Sequence, residues 1–216
     1  MAAKTDDPGA GRGYHHGDLR RHLIAVAERL LEERGVEGFT LRECARRAEV
    51  SPSAPAHHFG SASGLLTAVA ALGFDGLAEA QEQALETAGA EPGARLRAIG
   101  GAYIRYAVAH PARFRVAFGD LPLDKADPAL NEAGARAIGV LRRELEAARG
   151  GPSQPTGDPA FAAAMALTWS AVHGYARLLI DGRFEVVDPT LDRDAFLGEI
   201  ADRTLALLVR AFDGAG

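Results

Sequence analysis

The chain has 216 residues, of which 47% are hydrophobic and 25% are charged, and its 24 basic and 29 acidic residues give a formal net charge of −5. This balance excludes a wholly disordered or collagen-like chain, and the single cysteine, Cys44, excludes an internal disulfide and a four-cysteine zinc site. The most apolar stretch, residues 160–172, is too short to span a bilayer, and residues 1–18 contain no apolar segment typical of a signal peptide. We therefore expect a soluble, cytoplasmic protein.

The first predicted helix follows a Gly-rich segment, residues 1–17, whose lack of periodicity predicts a mobile arm. From Asp18 onwards, apolar residues recur at steps of three and four, and Gly35 and Gly38 are expected to end the helix. Its apolar stripe is formed by Leu19, Leu23, Val26, Ala27, Leu30 and Leu31.

A short second helix is predicted after this stripe. Thr40 and Glu43 have the spacing of a capping box, in which each residue satisfies a free backbone amide of the first turn. The helix places Cys44 inward, where the thiol is expected to act as a small core hydrophobe, and it ends near Glu49.

The third helix has two possible starts. Ser51-Pro52 could supply its N-cap and first residue, or Ser53 could be the cap, because Pro55 is tolerated only in the first helical turn. Either way it ends near Phe59-Gly60. Two short helices within about twenty residues have the spacing of a helix-turn-helix.

The remainder of the chain is also predicted to be helical, without a strand pattern. The expected fold class is all-α, with about nine helices in a three-helix N-terminal unit and a larger C-terminal unit. The later helices are expected at residues 61–88, 94–110, 112–118, 129–149, 158–181 and 191–212, with loops at 119–128 and 150–157.

Three segments carry a resemblance to a known family. They are the string from Phe39-Thr40 through Ala45, Ala48, Val50, Ser51 and Pro52 to His58-Phe59-Gly60-Ser61, the segment Trp169-Ser170-Ala171-Val172-His173-Gly174, and Tyr14-His15-His16-Gly17 with Leu19-Arg20. The chain resembles the TetR family of bacterial transcription regulators, and within it the subgroup with a Trp-His-Gly signature in the C-terminal domain.

The resemblance implies an organisation and a function. Residues 1–17 would be a flexible arm, residues 18–64 a DNA-binding domain, and residues 65–216 a ligand-binding and dimerisation domain. The protein would be a homodimeric repressor that binds a palindromic double-stranded operator and is released by a small hydrophobic molecule.

Departures from the family pattern motivate an alternative. Glu49 stands where the turn usually holds glycine, and a positive φ there would cost on the order of 1 kcal/mol. Ala56 replaces a usual phosphate-contacting tyrosine, and Ala62-Ser63 replace Lys-Glu at the start of the fourth helix. The alternative is a degenerate regulator that acts as a helical ligand-binding or interaction protein without binding DNA.

Candidate DNA contacts follow from the helix-turn-helix. The side chains expected to contact the duplex come from the cap of the second helix, from the third helix and from the turn before it. In the competing interpretation, the serines only cap the third helix and the histidine at its end only packs against the protein. Arg12 in the arm could reach a minor groove. The remaining candidates are Thr40, Arg42, Ser51, Ser53, Ala54, Ala56, His57 and His58.

Large side chains with polar tips share faces of the C-terminal helices. Ordinary core is one interpretation, but tyrosine, tryptophan and histidine need hydrogen-bond partners when buried, which favours the lining of a pocket. No Arg or Lys falls on these faces, so we expect a neutral, hydrophobic or aromatic ligand. The candidates are Tyr103, Tyr106, Phe114, Phe118, Met165, Trp169 and His173.

The last two helices predict self-association. The helix at 158–181 is apolar almost all round, and the helix at 191–212 has a broad apolar stripe. A chain of this size has too few helices to cover both, so we expect a two-fold homodimer built on them.

Nothing in the sequence indicates an enzyme. The chain has no nucleophile elbow, no phosphate-binding Gly-rich loop and no His-Glu-x-x-His motif. The adjacent pairs His15-His16 and His57-His58 point in different directions on a helix and cannot converge on zinc. We expect no catalytic residues, no metal and no cofactor.

Overall fold

The computed structural model describes residues 16–151 and 157–213, and within these residues it contains helices and no strands. The expected arm therefore lies outside the described residues, apart from positions 16 and 17, as do positions 152–156 of the loop before the eighth helix. The helices are α1 (His16–Arg34), α2 (Leu41–Arg47), α3 (Ala54–Phe59), α4 (Ala62–Glu86), α5 (Pro92–Ala109), α6 (Pro111–Phe118), α7 (Pro128–Ala148), α8 (Pro159–Ile180), α9 (Arg193–Ala195) and α10 (Ala201–Asp213). The all-α prediction is confirmed.

Proline and aspartate define the starts of the C-terminal helices. Helices α5 to α8 each begin at a proline, whose fixed φ suits a helix and whose missing N–H needs no partner there. Asp127 and Asp158 cap α7 and α8, because their carboxylates accept hydrogen bonds from backbone amides of the first turn. The fifth helix starts at Pro92 rather than at residue 94, since the proline occupies its first position.

The last predicted helix is one continuous helical run with a π-helical segment, Phe196–Ile200, between α9 and α10. The buried Tyr175 hydroxyl of α8 donates a hydrogen bond of 2.5 Å to the carbonyl oxygen of Phe196, the first residue of that segment. This bond connects α8 to the π-helical segment. Such segments are local distortions of a regular helix and often occur where a side chain contacts the helix backbone.

Two clusters of buried side chains form the core, and three helices contribute to both. The first cluster joins α1 and α2 to the first half of α4, and the second joins the other half of α4 to α5, α7, α8 and α10. Helices α6 and α7 also place residues in both clusters. Cys44 is fully buried in the first cluster, where burial raises the thiol pKa to about 11. The N-terminal helices are therefore packed directly on the helices that enclose the second core.

The third helix has the later of its two predicted starts. It begins at Ala54 after Ser53, and Pro55 is its second residue, so the start at Ser51-Pro52 is wrong. Proline has no N–H, so a helix capped at Ser51 could not form the bond from residue 55 to the Ser51 carbonyl. The chain instead makes a turn, in which the Ala54 amide donates to Ser51, before the helical bond from His57 to Ser53.

The turn between α2 and α3 carries the strain that its sequence predicts. Glu49 has a φ of 56°, the left-handed conformation that glycine adopts without penalty. The amide of the next residue, Val50, donates to the carbonyl of Ala45 across the turn. An acidic residue therefore occupies the position at which the family usually has glycine, at a cost in free energy of unfolding.

We expect Glu49→Gly to stabilise the protein by about 0.5–1 kcal/mol, because relief of the left-handed strain exceeds the added entropy of the unfolded chain. Urea unfolding followed by circular dichroism would measure the change. Glu37→Gly, at an exposed turn residue without a positive φ, is the matched control and should lower stability. Equal loss of stability in both variants would contradict the strain argument.

Candidate DNA-binding surface and ligand cavity

The start of α2 forms one of the two hydrogen bonds of a capping box. The Thr40 hydroxyl oxygen accepts a hydrogen bond of 3.1 Å from the Glu43 amide, as a capping box requires. The Glu43 carboxylate, however, accepts hydrogen bonds of 2.8–3.0 Å from Arg46 and Arg47. The expected reciprocal use of Glu43 as a cap is replaced by an ion-pair network, because two guanidinium groups one turn away attract the carboxylate more strongly.

This network reduces the positive charge that α2 can offer to a phosphate. The hydrogen bonds from Arg46 and Arg47 lower the pKa of Glu43 from 4.5 to about 2, so it is ionised at neutral pH. Arg47 is also bound by Glu33 of α1. These two arginines are therefore already paired within the protein.

Two of the candidate DNA contacts, Thr40 and Arg42, lie in one exposed region. Thr40 and Arg42 line a shallow cleft together with Val50 and Pro52, which places the start of α2 beside the turn that leads into α3. Arg12 lies outside the described residues. Of the remaining candidates, Ala54 and His58 are half-buried, and the exposed ones are Arg42, Thr40, Ser51, Ser53, Ala56 and His57.

Arg20 of α1 was missed by sequence reasoning. Its guanidinium lies 5.2 Å from the centre of the Phe59 ring at the end of α3, and the residue is exposed. The segment Leu19-Arg20 is part of the family resemblance, but periodicity places Arg20 on the solvated face of α1 with the other arginines and gives it no partner. Only the packing of α1 against α3 brings this charge to the recognition helix.

Gly64 sets the approach of α3 to α4. The Ser61 hydroxyl caps α4 by accepting a 3.1 Å hydrogen bond from the Gly64 amide. A Cβ at Gly64 would lie 2.0 Å from the carbonyl oxygen of Phe59, far inside the contact distance of the two atoms. The absence of a side chain at this position therefore lets the two helices meet at their observed angle.

A cavity of about 430 Å³ that is partly open to solvent lies at the second core, lined by α4, α5, α7 and α8 and by the last two residues of α6. Its volume is within the range of small-molecule sites. All of its lining side chains are uncharged. They are Phe74, Leu77, Gln81, Leu96, Ile99, Gly100, Tyr103, Ala117, Phe118, Gly134, Ala137, Ile138, Leu141, Thr168, Trp169 and Val172.

The structure divides the seven predicted ligand-binding residues. Tyr103, Phe118 and Trp169 line the cavity, whereas the other four are not among its lining residues. Tyr106 is turned towards α4, where its hydroxyl lies 3.4 Å from the carbonyl oxygen of Leu72. The remaining three, which pack behind or beside the lining, are Phe114, Met165 and His173.

Hydrogen bonding holds the aromatic end of the cavity in place. The Tyr103 hydroxyl lies 2.9 Å from Nδ1 of His173, and the Phe114 ring stacks on the same imidazole at 5.2 Å between ring centres. Burial raises the pKa of Tyr103 and lowers the pKa of His173, so both side chains are neutral at pH 7. His173 is thus a support for Tyr103 behind the cavity wall.

Two polar lining residues were also missed. Gln81 and Thr168 are buried and lie on otherwise apolar helix faces. The Thr168 hydroxyl donates to the Ala164 carbonyl one turn earlier, at 2.8 Å. The signal for Gln81 was present, since it falls on the stripe of Phe74 and Leu77, but a single amide in an apolar stripe does not reveal what it faces.

Helix α6 contacts both the N-terminal helices and the cavity. Ala112 and Val116 belong to the first core cluster, and Arg113 forms a bidentate ion pair with Glu28 of α1. On the other side, Ala117 and Phe118 line the cavity. A displacement of this eight-residue helix would therefore change its contacts with the N-terminal helices and also the lining of the cavity.

Helix α8 exposes a stripe of apolar and small side chains. Leu167 and Leu178 are 49% and 46% exposed, and they lie eleven residues apart, about three helical turns. Between them, a Cβ at Gly174 would meet no atom within 4 Å. On α10, Leu207 is also exposed. This face has no cover within the described chain.

In the part of the chain that the structure describes, no group of three or more His, Cys, Asp or Glu side chains is placed to hold a metal ion. None of the described helices combines the length and the apolar character needed to cross a membrane.

The comparisons with known proteins agree with this architecture. Residues 23–69 match the family described as "Bacterial regulatory proteins, tetR family", and residues 96–208 match "Tetracyclin repressor-like, C-terminal domain". No protein of curated function matches the sequence. The matches do not identify the Trp-His-Gly subgroup.

Solved structures extend the similarity over nearly the whole chain. A protein of unknown function from Rhodococcus sp. RHA1 is 33% identical, with 92% of this chain and 99% of that chain covered and a TM-score of 0.71. The TetR family regulator PfmR from Thermus thermophilus is 24% identical, with 87% and 97% covered and a TM-score of 0.60. A regulatory protein of the tetR family from Rhodococcus RHA1 is 23% identical, with 89% and 95% covered and a TM-score of 0.66. The chain, with a helix-turn-helix packed on a helical domain that holds a cavity, therefore belongs to the TetR family of bacterial transcriptional regulators.

Proposed function

We propose that the protein is a homodimeric repressor that binds a palindromic operator and releases it when a small, neutral, apolar molecule enters the cavity. The observation that carries this proposal is the position of α6, which contributes Ala117 and Phe118 to the cavity lining and packs on α1 through Arg113 and Glu28. An occupant that moves Phe118 would also move the contact with the DNA-binding helices.

The DNA-binding role is supported by the exposed side chains around α3. His57, Ser53 and Arg42 are exposed and lie on the recognition helix or its flanks. Helices of a helix-turn-helix place such groups in the major groove. The strain at Glu49 and the absence of a tyrosine at Ala56 favour the alternative, a degenerate regulator without DNA binding, and a binding experiment separates the two.

The dimer is supported by the uncovered face of α8 and by the family. A second copy related by a two-fold axis would place the stripe of Leu167, Gly174 and Leu178 against its own equivalent. Gly174 would allow close approach of the two helices, and the leucines would leave water. Two DNA-binding domains would then address two half-sites.

Ligand response requires a coupling between the cavity and the DNA-binding surface. Helices α4 and α6 both have residues in the two core clusters. Gly73 of α4 packs closely on α6, since a Cβ added there would lie 3.2 Å from the carbonyl oxygen of Arg113. A coupling free energy of about 1–3 kcal/mol is typical of such devices. The ligand should therefore lower the affinity for DNA by a certain factor, and DNA should lower the affinity for the ligand by the same factor.

The experiment is an electrophoretic shift with palindromic duplexes selected from a random pool, repeated at several salt concentrations. We expect half-sites about one helical turn, roughly 34 Å, apart. Since Arg46 and Arg47 are paired internally, we expect about 4–6 phosphate contacts and a log–log salt slope near −4 to −5.

Two variants sharpen the result. Arg42→Ala should reduce the salt slope by about one, as expected for a lost phosphate contact, whereas His57→Ala should relax sequence preference. Arg105→Ala, at an exposed position on α5, is the control and should change neither. Selection of no preferred sequence would contradict the proposal and leave the degenerate regulator.

A further inference from the structure

We infer that the ligand of the cavity is an elongated neutral molecule with a hydrogen-bond donor, a hydroxyl or an amide N–H, which binds the side-chain amide of Gln81. The inference rests on the proposed ligand response and specifies the chemistry of the molecule that the same cavity accepts. Its basis is the buried oxygen of one cavity-lining side chain, which the protein leaves without a partner.

Gln81 is 4% exposed, and among the described residues its Oε1 is a buried side-chain oxygen that accepts no hydrogen bond. A buried acceptor without a partner costs free energy, so native proteins rarely retain one without a role. The terminal torsion of glutamine is broad, and its rotation can turn either amide atom towards the cavity. A donor on the ligand would satisfy this oxygen.

The other polar groups of the lining are already engaged. The Thr168 hydroxyl donates to the Ala164 carbonyl, and the Tyr103 hydroxyl is hydrogen bonded to His173. The indole N–H of Trp169 can only donate, so it cannot accept a hydrogen bond from a ligand. Gln81 is therefore the lining residue that offers a buried acceptor oxygen without a partner for an orienting contact. Since the lining contains no charged side chain, an ionised ligand would lose its hydration without compensation.

The placement of Gln81 along α4 gives the ligand a length. Phe74, at the aromatic end, is seven residues before Gln81 and contacts Phe118 at 5.1 Å between ring centres. Seven residues of helix rise about 10 Å. A ligand that reaches both ends would carry an apolar or aromatic group roughly 10 Å from its donor.

The test uses two probes of nearly equal shape, 4-hydroxybiphenyl and 4-methylbiphenyl, titrated into the full chain and followed by the fluorescence of Trp169, the only tryptophan. Gln81→Met replaces the amide by an unbranched apolar side chain of similar size. Gln83→Met makes the same change two residues away, on the exposed face of α4, and is the matched control.

We expect Gln81→Met to reduce the preference for the hydroxyl probe over the methyl probe by about tenfold relative to wild type, equivalent to about 1.4 kcal/mol. Gln83→Met should leave the preference unchanged. Gln81→Met should also melt no lower than wild type, because it removes an unsatisfied buried group, so a loss of preference would not reflect loss of fold.

The outcomes separate this inference from the proposed function. If both probes bind and Gln81→Met keeps the full preference, Gln81 is not the anchor and the inference is overturned while the cavity remains a ligand site. If neither probe changes the fluorescence or gives heat in calorimetry, the cavity is not a site for such ligands, and both the ligand response and the inference fall. A failure of operator binding alone would contradict the repressor and leave the probe titrations unaffected.

Discussion

Leu178→Glu is expected to convert the proposed dimer into a monomer. Leu178 is exposed on α8 in the single chain, together with Leu167 on the same stripe. In a two-fold interface each substitution occurs twice, and each carboxylate without a partner costs several kcal/mol when an apolar contact buries it. At 1.4 kcal/mol per factor of ten, the dissociation constant should rise on the order of 10³-fold.

Sedimentation velocity at micromolar concentration would measure the change in mass, and an electrophoretic shift would measure its effect on operator binding. Leu167→Glu, about three turns earlier on the same face, should behave in the same way. Val36→Glu introduces the same charge at an exposed valine between α1 and α2 and is the control, so it should remain dimeric. A wild-type chain that sediments as a monomer would remove the basis for this interface.

Gly64→Ala is expected to abolish specific DNA binding, because it disturbs the junction of α3 and α4. The added Cβ would lie 2.0 Å from the backbone oxygen of Phe59, so α3 or the start of α4 must move. Overpacking of this kind costs about 1–3 kcal/mol or more in stability. A displaced recognition helix should bind its operator no better than non-specific DNA, which is about 10³-fold weaker or more.

The control for Gly64→Ala is Gly139→Ala in α7. At Gly139 the nearest atom to the added methyl group would be the flexible end of Arg143, at 3.6 Å, so the substitution should raise helix stability by about 0.5–1 kcal/mol and leave DNA binding intact. Thermal unfolding and the same electrophoretic shift check both variants. Retained operator affinity in Gly64→Ala would mean that the junction tolerates the displacement.

The amino-acid sequence by itself determined the helices and the family. Caps and helix breakers act within one or two turns, so Thr40, Asp158 and the prolines at the helix starts could be interpreted locally. The glycine position of the turn was recognisable in the same way, and its positive φ at Glu49 is the conformation that the local rule expects. Apolar stripes at helical spacing likewise predicted the all-α class.

Only the tertiary structure decided which side chains meet. Tyr103 and Tyr106 lie one turn apart on α5 and have the same local signals, yet the packing of α4 and α8 turns Tyr103 towards the cavity and Tyr106 towards Leu72. Gln81 became a candidate anchor because helices distant in sequence enclose it and leave its oxygen without a partner. Helical periodicity in the sequence predicts that a side chain is buried, but it does not predict which side chains of other helices surround it. Those neighbours depend on how the helices pack, and no local pattern contains that information.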